Sequence, residues 1–258
     1  ILQETCKDAN LSFLTSPYSI NLVDYVDPFV PAYKVGSGDI TWLDIIEHIA
    51  SKGKPYIIAT GASNEQDVND IINLASKINN KICIMQCNTN YTASNDNFKY
   101  LNLNYLTHLK KKFPNLILGL SDHTHGHSSV LGAISLGAKV IEKHFTLSNE
   151  LNGPDHKFSM TPKSWKEMIE RSKELELSLG DGKKKIEENE LDTVVLQRRS
   201  IRINKEIKKD HVIKRDDLNV LRPCPKNAID PRNINKIIGK KINKNLIKDE
   251  ILKWEDLD

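Results

Sequence analysis

Short runs of apolar, largely β-branched residues punctuate the first two thirds of the chain. Between them lie longer stretches in which apolar positions recur every three or four residues. The short runs fall at 11–15, 32–35, 56–60, 82–87, 116–121 and 140–145 and predict six strands. Of the intervening stretches, 42–52 carries Leu43, Ile46, Ile49 and Ala50 on one face of a helix. Segments 64–77, 101–113 and 128–136 predict further helices, the first of them entered through Ser63 and Gln66 at capping-box spacing. Strands alternating with helices imply βαβ units and a parallel sheet, either a (β/α) barrel or a doubly wound sheet. Segment 161–179 reads as a long helix with Trp165, Met168, Ile169 and Leu175 as its apolar positions. Residues 181–196 form a polar linker in which Lys183-Lys184-Lys185 is balanced by Glu187-Glu188. Beyond it the pattern shortens to β-like pieces at 200–203 and 219–221 with turn residues at Pro223, Pro225 and Asp230-Pro231, a small second domain over 197–258. No internal repeat beyond the βα alternation stands out.

Composition narrows the classes. Of the 258 residues, 37 are Lys or Arg and 34 Asp or Glu, a net charge of +3 that argues for neither a nucleic-acid nor a membrane partner. The longest apolar runs, such as Tyr56-Ile57-Ile58-Ala59, fall far short of the roughly 18 residues of a membrane span. Cys6, Cys83, Cys87 and Cys224 are too sparse for a disulfide scaffold, and three residues rather than two separate Cys83 from Cys87, unlike common zinc knuckles. Free thiols in a reducing, cytoplasmic setting are expected. The sequence opens on Ile1 rather than Met and shows no targeting signal.

Candidate chemistry lies at the C-terminal ends of the predicted strands, where loops converge in parallel βα folds. Those ends read Lys34-Val35-Gly36-Ser37-Gly38-Asp39, Ala59-Thr60-Gly61, Cys87-Asn88-Thr89-Asn90-Tyr91, Ser121-Asp122-His123-Thr124 and Glu142-Lys143-His144. Lys34, Ser37, Thr60, Thr89 and Ser121 supply a cation and hydroxyls, and Gly36, Gly38 and Gly61 let backbone amides approach a ligand, a mixture suited to a phosphate or carboxylate. Period-two alternation puts Ser121 with His123, and Glu142 with His144, on one face of adjacent strands. The two imidazoles can then share a divalent metal or serve as hydrogen-bonded core histidines. His125 and His127 extend a His-x-His-x-His pattern but lie past the strand end, in loop or helix-start positions. Gly153-Pro154-Asp155-His156 forms a turn after the last strand, either a lid or an ordinary Asx turn.

At these residues the sequence resembles the sialic acid (N-acetylneuraminate) synthase family. The matching stretches are Phe13-Leu14-Thr15-Ser16-Pro17-Tyr18, Tyr33-Lys34-Val35-Gly36-Ser37-Gly38-Asp39, Lys54-Pro55, Ala59-Thr60-Gly61, Gly119-Leu120-Ser121-Asp122-His123-Thr124, Glu142-Lys143-His144-Phe145 and Gly153-Pro154-Asp155-His156. Arg198-Arg199-Ser200, Leu221-Arg222-Pro223 and Ile238-Gly239-Lys240 resemble the family's C-terminal SAF (antifreeze-like) domain. The resemblance implies a (β/α)8 TIM-type barrel over residues 1–180 followed by the SAF domain. It implies condensation of phosphoenolpyruvate with a 2-acetamido sugar such as N-acetylmannosamine, with release of phosphate. It also implies a divalent metal, Mn2+ or alternatively Mg2+ or Co2+, on His123 and His144. Lys34, Ser37 and Ser121 match residues that hold phosphoenolpyruvate. Thr89 and Tyr91 match the phosphate and sugar sites, and Asp39 a sugar contact. Asp155 matches a sugar- and metal-side carboxylate placed to help deliver water. Arg222 matches the arginine that enters the partner subunit's site, which implies a homodimer with exchanged SAF domains.

Several positions depart from the family pattern. Ala59 replaces a usual Ser, Asn88-Thr89 and Thr92 replace a Thr-Ser pair and a Pro around Tyr91, and Cys224-Pro225-Lys226-Asn227 replaces a Gly-rich turn. These changes leave the neuraminic, legionaminic and pseudaminic branches open. The strand at 11–15 matches the family's third, so the resemblance implies a barrel without its first two strands and a sequence that begins inside a longer protein. Such a chain is expected to be association-prone or inactive on its own. Two rival readings remain: a metal-dependent barrel hydrolase built on His123, His125 and His127, and an inactive fragment or sugar-binding protein.

Overall fold

Five of the apolar runs pair into one parallel sheet. Its strands β1 (Tyr33–Val35), β2 (Tyr56–Ala59), β3 (Ile82–Cys87), β4 (Ile117–Asp122) and β5 (Val140–Lys143) lie side by side in sequence order. Helices α1 (Leu2–Asp8), α2 (Ile20–Val26), α3 (Leu43–Ser51), α4 (Glu65–Ile78), α5 (Tyr105–Lys112), α6 (Ser128–Ser135) and α7 (Pro162–Leu179) precede or connect them. Sequential parallel strands joined by helices make the repeat of a TIM-type barrel. Here five strands of it form an open sheet with β1 and β5 at its edges. The structure, a computed structural model, describes residues 1–258 in two units, Ile1–Asp181 and Gly182–Asp258.

Burial explains the pattern. All six residues of β3, the central strand, are buried, which is why 82–87 reads as a continuous apolar run. Ile45, Ile46 and Ile49 of α3 and Val68, Ile71 and Ile72 of α4 join Ile58, Ile84 and Leu118 in one core. The capping box of α4 is set one residue later than the sequence suggested. Asn64 accepts from the Gln66 and Asp67 amides, and Asp67 returns a bond to the Asn64 amide, so the helix starts at Glu65.

The sixth expected strand, 11–15, is not one. It runs beside β1 but makes a single ladder-like bond, from the Lys34 amide to the Thr15 carbonyl at 3.3 Å, and leaves Leu11 and Leu14 exposed. Strand propensity yields a strand only where a partner supplies a row of bonds. The polar stretch 181–196 is not connector throughout either. Glu187 and Glu190 form a capping box and lead into helix α8 (Leu191–Gln197), within the second unit.

The second unit contains the antiparallel pair β6 (Ser200–Ile203) and β7 (Leu218–Leu221) and the short helix α9 (Ile234–Ile237). Its core of Ile201, Ile203, Ile207, Ile213, Ile229, Ile237, Ile242, Leu246 and Leu252 is fully enclosed. The structure exposes a duplication hidden in the sequence. Asn204-Lys205, Lys209-Asp210, Lys214 and Asp217-Leu218 recur as Asn243-Lys244, Lys248-Asp249, Lys253 and Asp256-Leu257. The copies adopt one conformation: Asp210 and Asp249 both have positive φ, 67° and 66°. Asp217 and Asp256 are buried and accept from the Lys214 and Lys253 amides at 2.8 and 2.9 Å. The copies face each other reciprocally, the Ile207 amide donating to the Leu246 carbonyl (2.9 Å) and the Leu246 amide to the Ile207 carbonyl (2.8 Å). The expectation of no repeat therefore fails; the same offset also relates Ile203 to Ile242, Ile207 to Leu246 and Ile213 to Leu252, apolar positions too widely spaced to stand out as a period.

Candidate active site at the strand ends

The C-terminal ends of β1, β4 and β5 open into a cavity of about 600 Å³. Lys34, Ser37, Tyr91, Ser121, His123, His144 and Asp155 line it, as do Ser16, Tyr18 and Glu142. β1 delivers Lys34, and the turn after it delivers Ser37. The Ser37 hydroxyl accepts the Gly61 amide at 3.0 Å. A Cβ on Gly61 would lie 1.8 Å from Thr89 Oγ1 and 2.8 Å from Ser37 Oγ, so only glycine lets these three loops meet. Glu142 sits between the other two phosphate-side candidates. Its carboxylate is 3.4 Å from the Lys34 ammonium and accepts from the Ser121 hydroxyl at 3.4 Å.

The two histidines come together as the strand alternation predicts. Their ring centroids are 5.1 Å apart, with Tyr91 edge-on to both and Phe158 packed beside them. His123 donates from Nδ1 to the Asn88 carbonyl at 3.0 Å, a bond that fixes the tautomer and leaves the Nε2 lone pair available. His144 Nδ1 lies 3.4 Å from an Asp155 oxygen. The turn carrying Asp155 is pinned by Asn149, whose Nδ2 donates to the His156 and Ser159 carbonyls at 2.6 and 2.8 Å.

The electrostatics follow from this packing. Burial pushes the His144 imidazole below its ordinary value, helped by His123 and opposed by Asp155 and Glu142. For His123, burial acts downward but contact with Cys87 and the Asn88 carbonyl outweighs it, and the group lies above its ordinary value. Burial acts upward on the Cys87 thiol, and bonds from His123, Thr89 and Ser37 bring it below the ordinary thiol range.

The donor set suits a borderline divalent ion: two imidazoles from adjacent strands with a carboxylate at one of them. No three His, Cys, Asp or Glu side chains converge closely enough to form a ligand set by themselves, so a metal here would take its remaining positions from water or substrate.

Other candidates lie elsewhere. Asp39 and Thr89 do not line the cavity, although Thr89 touches Cys87 at 3.5 Å behind it. Thr60 spends its hydroxyl on the Met85 carbonyl at 2.9 Å. His125 donates to the Ala93 carbonyl at 2.8 Å and His127 precedes α6, so the His-x-His-x-His pattern does not converge on one point. Arg222 belongs to the second unit, where its Nε donates to the Gln197 carbonyl at 2.7 Å. Of the lining residues, Ser16, Tyr18 and Glu142 had no role assigned from sequence, although alternation put Glu142 on the face of His144. The signal for Ser16 and Tyr18 was the polar end of the 11–18 stretch.

Residues 1–184 match the NeuB family, and residues 198–258 match the SAF domain. The chain belongs to the NeuB family. An N,N'-diacetyllegionaminic acid synthase of Campylobacter jejuni is 34% identical, over 96% of this chain and 73% of that protein. A pseudaminic acid synthase of the same species is 31% identical, over 98% and 72%. The crystal structure of an N-acetylneuraminic acid synthetase from Leptospira borgpetersenii superposes with a TM-score of 0.69 at 25% identity, over 75% of this chain and 67% of that one. NeuB relatives named for different sugar acids thus stand at similar distances.

Proposed function

We propose that this NeuB-family protein is a nonulosonic acid synthase that joins phosphoenolpyruvate to the aldehyde carbon of a 2-acetamido sugar. The observation that carries this reading is the meeting of Lys34, Ser37, Ser121, His123, His144 and Asp155 in one cavity, which brings an ammonium and hydroxyl groups together with two imidazoles. Lys34, Ser37 and Ser121 hold the phosphate and carboxylate of phosphoenolpyruvate by charge-assisted bonds. The pairing of Lys34 with Glu142 keeps the ammonium aimed into the cavity until the anion arrives. Holding C3 of phosphoenolpyruvate against the aldehyde carbon is worth roughly 7–11 kcal/mol of barrier in favourable cases.

His123 and His144 would hold a divalent ion, Mn2+ foremost with Mg2+ or Co2+ as alternatives, which supplies Lewis-acid polarisation of the sugar carbonyl. The C3–C1 bond forms, cationic character develops at C2, and water adds there. Phosphate then leaves with cleavage of its C–O bond. Asp155 and Glu142 are the carboxylates within reach of the incoming water. The family resemblance at Arg222 supports a homodimer in which this residue contacts the sugar in the partner subunit. The four free thiols support a cytoplasmic setting. No helix is long and apolar enough to cross a membrane.

The test incubates the protein with phosphoenolpyruvate, Mn2+ and a panel of 2-acetamido sugars, reading phosphate release and product mass. Equimolar phosphate and a product heavier than the sugar by the three-carbon acid unit are expected. Turnover of a sugar derivative without phosphoenolpyruvate would overturn the reading in favour of the hydrolase.

A further inference from the structure

β4 and β5 pair with Ser121 opposite Glu142 and Asp122 opposite Lys143. Alternation sends Ser121, His123, Glu142 and His144 to the cavity face and sends Asp122 and Lys143 to the opposite face. There the two charged side chains are 0% and 1% exposed and lie 2.7 Å apart. Both carboxylate oxygens and the ammonium have hydrogen-bond partners. Lys143 Nζ donates to Asp122 Oδ2 and to the Thr124 carbonyl, both at 2.7 Å. Asp122 Oδ1 accepts from the Thr124 amide at 2.9 Å and its hydroxyl at 2.8 Å, and the Ser129 hydroxyl of α6 donates to Oδ2.

The arrangement discriminates between registers. A slip of one residue would turn every side chain of β5 to the wrong face, and a slip of two would strand both charges in a dry interior. The apolar neighbours Leu120 and Ile141 tolerate either shift far better than a buried carboxylate does. The bonds to Thr124 and Ser129 also tie down the turn on the far side of His123 and the start of α6.

We propose that the Asp122–Lys143 pair is a positioning device: it fixes the rung on which Ser121 meets Glu142 and His123 meets His144, and so builds the phosphate and imidazole sites without touching either ligand. Its metal-binding consequence rests on the function proposed above; its effect on the two rings does not.

The test uses the full chain with labelled histidines. One readout is magnetisation transfer between the His123 and His144 rings, whose centroids are 5.1 Å apart. The other is Mn2+ affinity by water-proton relaxation. Lys143→Met is expected to abolish the ring-to-ring transfer and to weaken Mn2+ binding about tenfold or more, the range seen when groups supporting metal ligands are removed. Ser129→Ala removes one donor from outside the sheet and carries the test if Lys143→Met does not fold; a loss of about threefold and a weakened transfer are expected. Asp217→Asn, in the other unit, controls for general destabilisation and should change neither readout. Folded Lys143→Met or Ser129→Ala protein with wild-type transfer overturns the proposal. If the wild type takes up no Mn2+, the metal reading falls, and the ring-to-ring transfer still decides the positioning role.

Discussion

Asp122 in the barrel unit and Asp217 in the SAF unit are each 1% exposed, and each holds a lysine ammonium at 2.7 Å. Their lysines differ. Lys143 is as buried as its partner, whereas the Lys205 side chain is 58% exposed. Their settings differ too. Asp122 joins two strands and a helix start directly behind the cavity. Asp217 braces a turn through the Lys214 amide and the His211 imidazole, at 2.8 and 2.7 Å. One pairing chemistry serves two ends: specification of register where neither charge can reach water, and reinforcement of a turn where one of them can.

That contrast can be broken by experiment. The largest effect is expected for Lys143→Met, which leaves an uncompensated buried carboxylate and should cost about 3–5 kcal/mol in denaturant unfolding of the barrel unit. A cost below 1 kcal/mol would erase the distinction between the two pairs. Asp217→Asn should cost about 2 kcal/mol, because the Lys214 amide and the His211 imidazole lose a buried, charged acceptor. For Asp217, burial acts upward on the carboxyl, but bonds from Lys205, His211 and the Lys214 amide outweigh it and hold it well below the usual carboxylate range. A group depressed in the folded state stabilises fully above its unfolded value and loses that contribution as pH falls toward the folded value. The wild-type SAF unit should therefore lose stability as pH drops below about 4, and Asp217→Asn should flatten that slope in acid titrations of the melting temperature. Asp256→Asn should cost less than Asp217→Asn, since Glu250 stands where His211 does and no imidazole is lost. The smallest change is expected for Lys205→Met, within about 1 kcal/mol, as for exposed ion pairs generally.

Much of this fold was legible because burial writes itself into apolar periodicity. β3 and β6 fall where the apolar runs at 82–87 and 200–203 place them. What escaped was set by polar groups. The 11–15 run has strand-like residues but no second ladder, which no local pattern can reveal. Helix α8 escaped because it directly follows the charged stretch 181–190, whose last turn, capped by Glu187 and Glu190, leads into it. At the site, alternation was enough to place Ser121 with His123. Asp39 and Thr89 fall outside the cavity lining, Thr89 turning its hydroxyl toward Cys87 at 3.5 Å, whereas His125 lies off the site as its place past the strand end suggests.

The duplicated half of the SAF unit has a consequence for how that unit can change. Ile207 and Leu246 sit where the two copies meet and bond only to each other's backbone. Ile203, Ile207 and Ile213 of one copy and Ile242, Leu246 and Leu252 of the other lie in a single core cluster. A substitution that reshapes the core side of one half therefore alters the packing of the other.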